Sequence, residues 1–158
     1  MAKLIYYNRN PDGNKESDCV TRAISLASGL PYSSVRKKLY HMSELLNCEK
    51  LCVCCYRHLL DDIFKYPRVE CEGYTVEEFA DMHPQGSYLV RMSGHITTII
   101  DGNIWDIFNC GKELCTDAWL VKQHKSYKKI MKNYWQFKKS MIFYYCKRRK
   151  SWEITFYN

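Results

Sequence analysis

Gly94-His-Ile-Thr-Thr-Ile-Ile-Asp-Gly-Asn-Ile-Trp-Asp106 holds two β-rich runs, His95 to Ile100 and a second from Ile104 continuing to Phe108. Between them stands Asp101-Gly102-Asn103, a strong short hairpin signal. With Asp101-Gly102 at the centre of a two-residue loop, opposed residue numbers sum to 203. Asp106 then faces Thr97, and His95 lies one diagonal step away on the same sheet face, with Cα atoms ~7–8 Å apart. With Gly102-Asn103 at the centre the sum is 205, and His95 and Asp106 still share a face. An imidazole and a carboxylate so placed can activate a nucleophile.

The matching nucleophile is Cys19. Ser17-Asp-Cys-Val-Thr-Arg-Ala-Ile-Ser-Leu-Ala-Ser-Gly29 reads as a helix with both ends marked. Ser17 or Asp18 supplies the N-cap and Gly29 the stop. Val20, Ala23, Ile24 and Ala27 fall at i, i+3, i+4 and i+7, an apolar stripe able to pack on a sheet. Cys19 falls in the first turn, where unpaired N–H groups and the helix dipole favour a thiolate. Each residue alone has a plainer reading: a small core cysteine, a strand histidine, a turn or capping aspartate. Their order, the helix-start context and the shared face together point to catalysis. His41, His58, His83 and His124 lack comparable surroundings.

An early Cys opening a buried helix, followed by His and then Asp on adjacent strands, resembles the papain-like superfamily of cysteine hydrolases. The likeness is to small phage and bacterial members with an Asp-Cys-x-x-Arg-Ala-Ile helix and a Gly-His…Asp-Gly-x-x-x-Asp hairpin. It covers roughly residues 8–30 and 84–111. It implies an α+β fold, N-terminal helices packed against an antiparallel β-sheet, and a Cys19–His95–Asp106 triad acting on an amide or ester in a protein or peptide substrate. Such enzymes usually carry a Gln before the nucleophile to bind the oxyanion; here the nearest amide is Asn14.

The 158 residues fit one domain, spanning 1–158, that can bury a core without disulfides. A hydrophobic content of 46% argues against disorder. No run approaches the ~20 apolar residues of a membrane span, and the N-terminus does not read as a signal peptide. A cytoplasmic protein is expected, working in the host cytoplasm if it is of phage type, and its nine cysteines are expected as reduced thiols. Cys48, Cys52, Cys54 and Cys55 crowd together, with His58 close behind. Cys71 stands alone, Cys110 and Cys115 are spaced by four residues, and no second Cys-x-x-Cys pair follows. The spacing therefore spells out no full tetrahedral metal site, and no cofactor is expected.

Charge is unevenly spread. Ala118 to Trp152 holds eleven Lys and Arg and no Asp or Glu, so with a total of +7 the remainder sums to 7 − 11 = −4. Either this is a solvated basic face, or the third around Lys147, Arg148, Arg149 and Lys150 meets an acidic protein or nucleic acid. Interleaved Tyr and Trp residues could stack on bases, giving the rival reading of an inactive papain-like fold that binds such a partner or inhibits it.

Elsewhere the pattern predicts a short strand in residues 1–7, a turn over Pro11 to Asn14, and a helix from Pro31 to Leu46 capped by Ser33 or Ser34. A helix over Tyr56 to Tyr66, a capping box at Thr75-Val-Glu-Glu78 and a strand from Ser87 to Met92 follow. Thr116 to Trp135 reads as a helix, and Met141–Cys146 with Trp152–Tyr157 as a terminal hairpin with a basic tip.

Overall fold

The structure, a computed structural model, describes residues 1–13 and 17–122. These lie in the first of two units into which the chain divides, Met1–His124 and Lys125–Asn158. The expected terminal hairpin, Asn14 and the basic cluster at Lys147 to Lys150 fall outside the described residues, as does the second unit that the expected single domain would include.

The hairpin forms with Asp101-Gly102 at its centre. Strand β4 (His95–Ile100) pairs antiparallel with β5 (Asn103–Asp106), with Thr98 opposite Trp105, Ile99 opposite Ile104 and Ile100 opposite Asn103, a sum of 203 throughout. Asp101 and Gly102 both take positive φ, 48° and 74°, the two left-handed residues whose twist matches a β-hairpin. Asp101 is fixed further: its N–H donates to Gly86 O and its carboxylate accepts from Gly86 N, both at 2.9 Å. A second tight turn at Ser93-Gly94 joins β3 (Ser87–Met92) to β4, with Met92 opposite His95.

Around this meander the sheet extends to six strands. β1 (Leu4–Tyr6) lies outside β5, and β6 (Asp117–Lys122) and β2 (Arg68–Val69) lie beyond β3, in the order β1-β5-β4-β3-β6-β2. The expected antiparallel sheet is corrected to a mixed one, because β1 runs parallel to β5. Some ninety residues of helix and strand separate β1 from β5, ample for the crossover that a parallel pair requires.

Alternation along β4 divides the core. Ile96 joins the residues buried against α1 (Cys19–Ser28), α2 (Tyr32–Leu45) and α3 (Val53–His58), which continues as a π-helical turn over Leu59–Ile63. Ile99 joins Val76, Phe79 and Ala80 of α4 (Val76–Met82) on the other side. Thr98, on the α1 side, donates its hydroxyl to Ala23 O at 2.9 Å. Among the described residues the architecture is α+β, with four α-helices on a mixed sheet. Among the described residues no helix is long and apolar enough to cross a membrane.

Several local expectations shift. The Thr75 capping box forms in both directions, Glu78 N to Thr75 Oγ1 at 3.3 Å and Thr75 N to Glu78 Oε2 at 2.8 Å. α2 begins after Pro31 with no side-chain cap, not at Ser33 or Ser34. The helix expected from Thr116 is replaced by β6 as far as Lys122, since Ala118 and Trp119 are buried where the strand pairs with Val90 and Leu89. Sheet pairing here overrides the local helical preference.

The turn is open to test through Gly102. A Cβ there would sit 3.2 Å from Pro84 Cα while φ stays at +74°. Gly102→Ala should cost about 1–2 kcal/mol of unfolding free energy, read from denaturant midpoints at unchanged slope. An unchanged midpoint would mean that the turn does not hold this conformation.

Candidate active site

Three of the four residues expected in the site meet at element ends. Cys19 is the first residue of α1, His95 the first of β4, and Asp106 the last of β5. His95 Nε2 and Asp106 Oδ2 are 2.8 Å apart, as the 203 register requires. The His95 side chain also lies against Cys19, near enough for each to shift the other's ionisation. Phe108 stands edge-on to the His95 ring, centroids 5.6 Å apart. Asn14, the fourth expected residue, lies outside the described residues.

The ionisation states follow from these contacts. Burial works against a charged Cys19, but the His95 hydrogen bond and charge, the Ile96 backbone and the Arg22 charge outweigh it and hold the thiol below its ordinary value. Burial likewise disfavours the His95 imidazolium. Its bonds to Asp106 and Cys19 prevail and raise its pKa to about 9. Asp106 is buried, which would raise its pKa, yet His95 and the Ile107 N–H keep it below the usual carboxylate range. These contacts favour a thiolate–imidazolium–carboxylate array.

Cys110 lies beside the same His and Asp, the ligating atoms of the three within 4.8 Å of one another. Burial, followed by the Asp106 charge, pushes its thiol up to about 11. Cys110 therefore stays neutral and packs beneath the carboxylate, while Cys19 is the ionisable partner. Asp101, at the far end of β4, is ~20 Å along the strand from His95. The remaining described histidines are engaged elsewhere. His58 pairs with Asp62 at 2.7 Å, and His83 Nδ1 meets Phe79 O at 2.8 Å.

A buried polar group, unassigned by sequence, holds the parts in place. Arg22 Nε donates to Asp18 Oδ1 at 2.6 Å, and Arg22 Nη1 reaches Asp106 Oδ1 at 3.4 Å. Asp18 Oδ2 accepts from Asn10 Nδ2 at 3.0 Å and from the Tyr32 hydroxyl at 2.6 Å. Asp18 occupies the expected N-cap position of α1 but makes no side-chain cap; its carboxylate is taken up by this network. The legible signal was the i, i+4 spacing of Asp18 and Arg22. The reach to Asp106 needs the fold.

No protein-family model, curated protein or solved structure matches this chain. An open cleft of about 360 Å³ is lined by Cys19, His95 and Gly94 together with Glu49 to Val53 and Tyr56. A carbonyl entering it would lie over the start of α1, whose first N–H groups have no intrahelical acceptors.

Cys19 should be among the first thiols alkylated in mildly acidic solution. Cys52 is the other thiol held low, at about 7: burial opposes its ionisation, but hydrogen bonds from Cys54, Cys48 and Cys55 prevail. Brief iodoacetamide treatment near pH ~6 with peptide mapping should mark Cys19 ahead of Cys71, Cys110 and Cys115, whose thiols are pushed up, since the thiolate is the reactive form. Asp106→Asn should slow Cys19 labelling and bring the His95 titration down from about 9, followed by NMR. Labelling spread evenly over the thiols, or a His95 titration unmoved by Asp106→Asn, would refute the ion pair.

Proposed function

We propose that the protein is a papain-like thiol hydrolase, a peptidase or amidase acting through a thioester. One observation carries this reading: His95 Nε2 lies 2.8 Å from buried Asp106, and the same imidazole lies against a Cys at a helix start and lowers its pKa. Asp106 fixes the tautomer and stabilises the imidazolium. The Cys19 thiolate attacks the carbonyl carbon, a C–S bond forms, and the oxyanion is met by the N–H groups at the start of α1. Collapse breaks the C–N bond as His95 gives its proton to the leaving amine. Water then adds to the thioester, His95 takes its proton, and the carboxylate product departs as the Cys19 sulfur is released. Asn14 is the amide placed in the sequence to assist the oxyanion.

The reactive state is the ion pair, so its pH range is bounded on both sides. Below the lowered Cys19 pKa the sulfur is a thiol. Above about 9 His95 has no proton to give. Turnover should follow a bell whose alkaline limb falls near pH 9. A proteome-derived peptide mixture should be cleaved by the wild type and left intact by Cys19→Ala. Asp106→Asn should lower turnover by orders of magnitude with the circular dichroism unchanged, while Asp101→Asn, which keeps an acceptor for Gly86 N, should cost little. No Cys19-dependent cleavage, or a dead Asp101→Asn beside an active Asp106→Asn, would defeat the assignment.

A second reading rests on the basic run from Ala118 to Trp152: a non-catalytic protein that grips an acidic protein or nucleic acid. Charge reversal of Lys147, Arg148 and Arg149 tests it against a single-stranded oligonucleotide. Three lost phosphate contacts should flatten the log–log salt slope by roughly 2, at ~0.7 per contact. An unchanged slope would leave the run as a solvated face.

A further inference from the structure

Cys48, Cys52, Cys54 and Cys55, read from their spacing as separate thiols, converge in the fold. Their four sulfurs all lie within 4.8 Å of one another. Cys48 and Cys55 are 2.8 Å apart, and Cys52 is 3.3 Å from each. These separations are closer than the roughly 3.5–4.0 Å of ordinary non-bonded contact. A tetrahedral zinc with Zn–S of ~2.3 Å spaces its sulfurs ~3.8 Å apart, a value that the observed range of 2.8 Å to at most 4.8 Å brackets.

The chain takes an unfavourable path to achieve this. α2 ends at Leu45, and Asn47 (φ 47°) and Leu51 (φ 64°) both adopt left-handed backbone, a conformation uncommon for a non-glycine residue and costly for a bulky one. Between them Cys48 turns inward, and after Leu51 the chain enters α3, bringing Cys52, Cys54 and Cys55 to the same point. Cys55 is fully buried and Cys54 exposed, so the cluster straddles the surface, where an ion can enter.

We propose that Cys48, Cys52, Cys54 and Cys55 form a four-thiolate zinc site. Four soft sulfur donors in a compact tetrahedral set select zinc over harder cations. Each thiol gives up its proton as its bond to zinc forms, with no change in oxidation state. With all four positions taken by protein sulfur, no place is left for a water, so the ion is structural. Its place in the fold gives it a consequence. Glu49, Lys50, Leu51 and Cys52 line the cleft beside Cys19 and His95, so the zinc pins one wall of that cleft. The site stands independently of the hydrolase reading.

The test uses the full-length protein purified under reducing conditions with zinc supplied. Elemental analysis and native mass spectrometry should find about one zinc per chain. Cobalt substitution should give the intense charge-transfer and d–d bands of tetrahedral thiolate coordination. Cys54→Ser removes an exposed ligand, so the fold should survive by circular dichroism while zinc affinity falls at least tenfold. Cys52→Ser with Cys55→Ser should abolish the cobalt bands. Cys19→Ala should retain zinc in full, separating this result from any failure of the catalytic assignment. Protein isolated without zinc and unable to bind it, stoichiometric iron or copper in its place, a Cys48–Cys55 disulfide seen as the loss of two hydrogens in the intact mass, or undiminished affinity in Cys54→Ser would each overturn the proposal.

Discussion

The buried guanidinium of Arg22 is the interaction on which the candidate site depends. It joins Asp18, immediately before α1, to Asp106, at the end of β5. Cys19 follows Asp18 directly and His95 is bonded to Asp106, so the bridge sets the helix start against the strand ends. Three charged groups with side chains under a tenth exposed are expensive to desolvate. Their cost is offset because nearly every oxygen has a donor: Arg22, Asn10 and Tyr32 on Asp18, and Arg22, His95 and the Ile107 N–H on Asp106. Removing the guanidinium would leave two buried carboxylates facing each other, a change of the kind that costs about 3–5 kcal/mol.

The same arrangement separates the roles of neighbouring thiols. Cys19 lies beside His95, and Cys110 beside His95 and Asp106, yet their pKa values move in opposite directions. Burial opposes ionisation in each case. Cys19 has the imidazolium and Arg22 to overcome it, whereas Cys110 has the Asp106 charge added against it. Geometry alone brings two sulfurs to the pair, and electrostatics decides which becomes the thiolate.

How much was legible in the sequence follows how local each determinant is. β3 and β4 are bounded as read because alternation and two tight turns sit within the segments themselves. The Asp101-Gly102 turn then fixed the parity that brings Asp106 back to His95, while β5 closed two residues short of its expected end at Phe108. The Thr75 capping box and the Gly29 stop are equally local. β6 was misread as helix because its strand state comes from Leu89 and Val90, some thirty residues earlier. Arg22 had no role readable from the sequence, because its second carboxylate lies 84 residues away.

The cysteine cluster shows the same limit from the other side. Spacing rules for metal knuckles assume ligands delivered in two pairs; Cys52-Val-Cys-Cys55 has the two-residue gap of one pair, but no second pair follows it. Here one ligand leaves the end of α2 and three belong to the start of α3, and left-handed residues Asn47 and Leu51 fold the connection back on itself. The convergence therefore depends on how α2 and α3 pack together, which no short window contains. That packing also turns Glu49 to Cys52 towards the cleft. Two features that look unrelated along the chain, the loop carrying the thiol cluster and the nucleophile helix, thus line one groove.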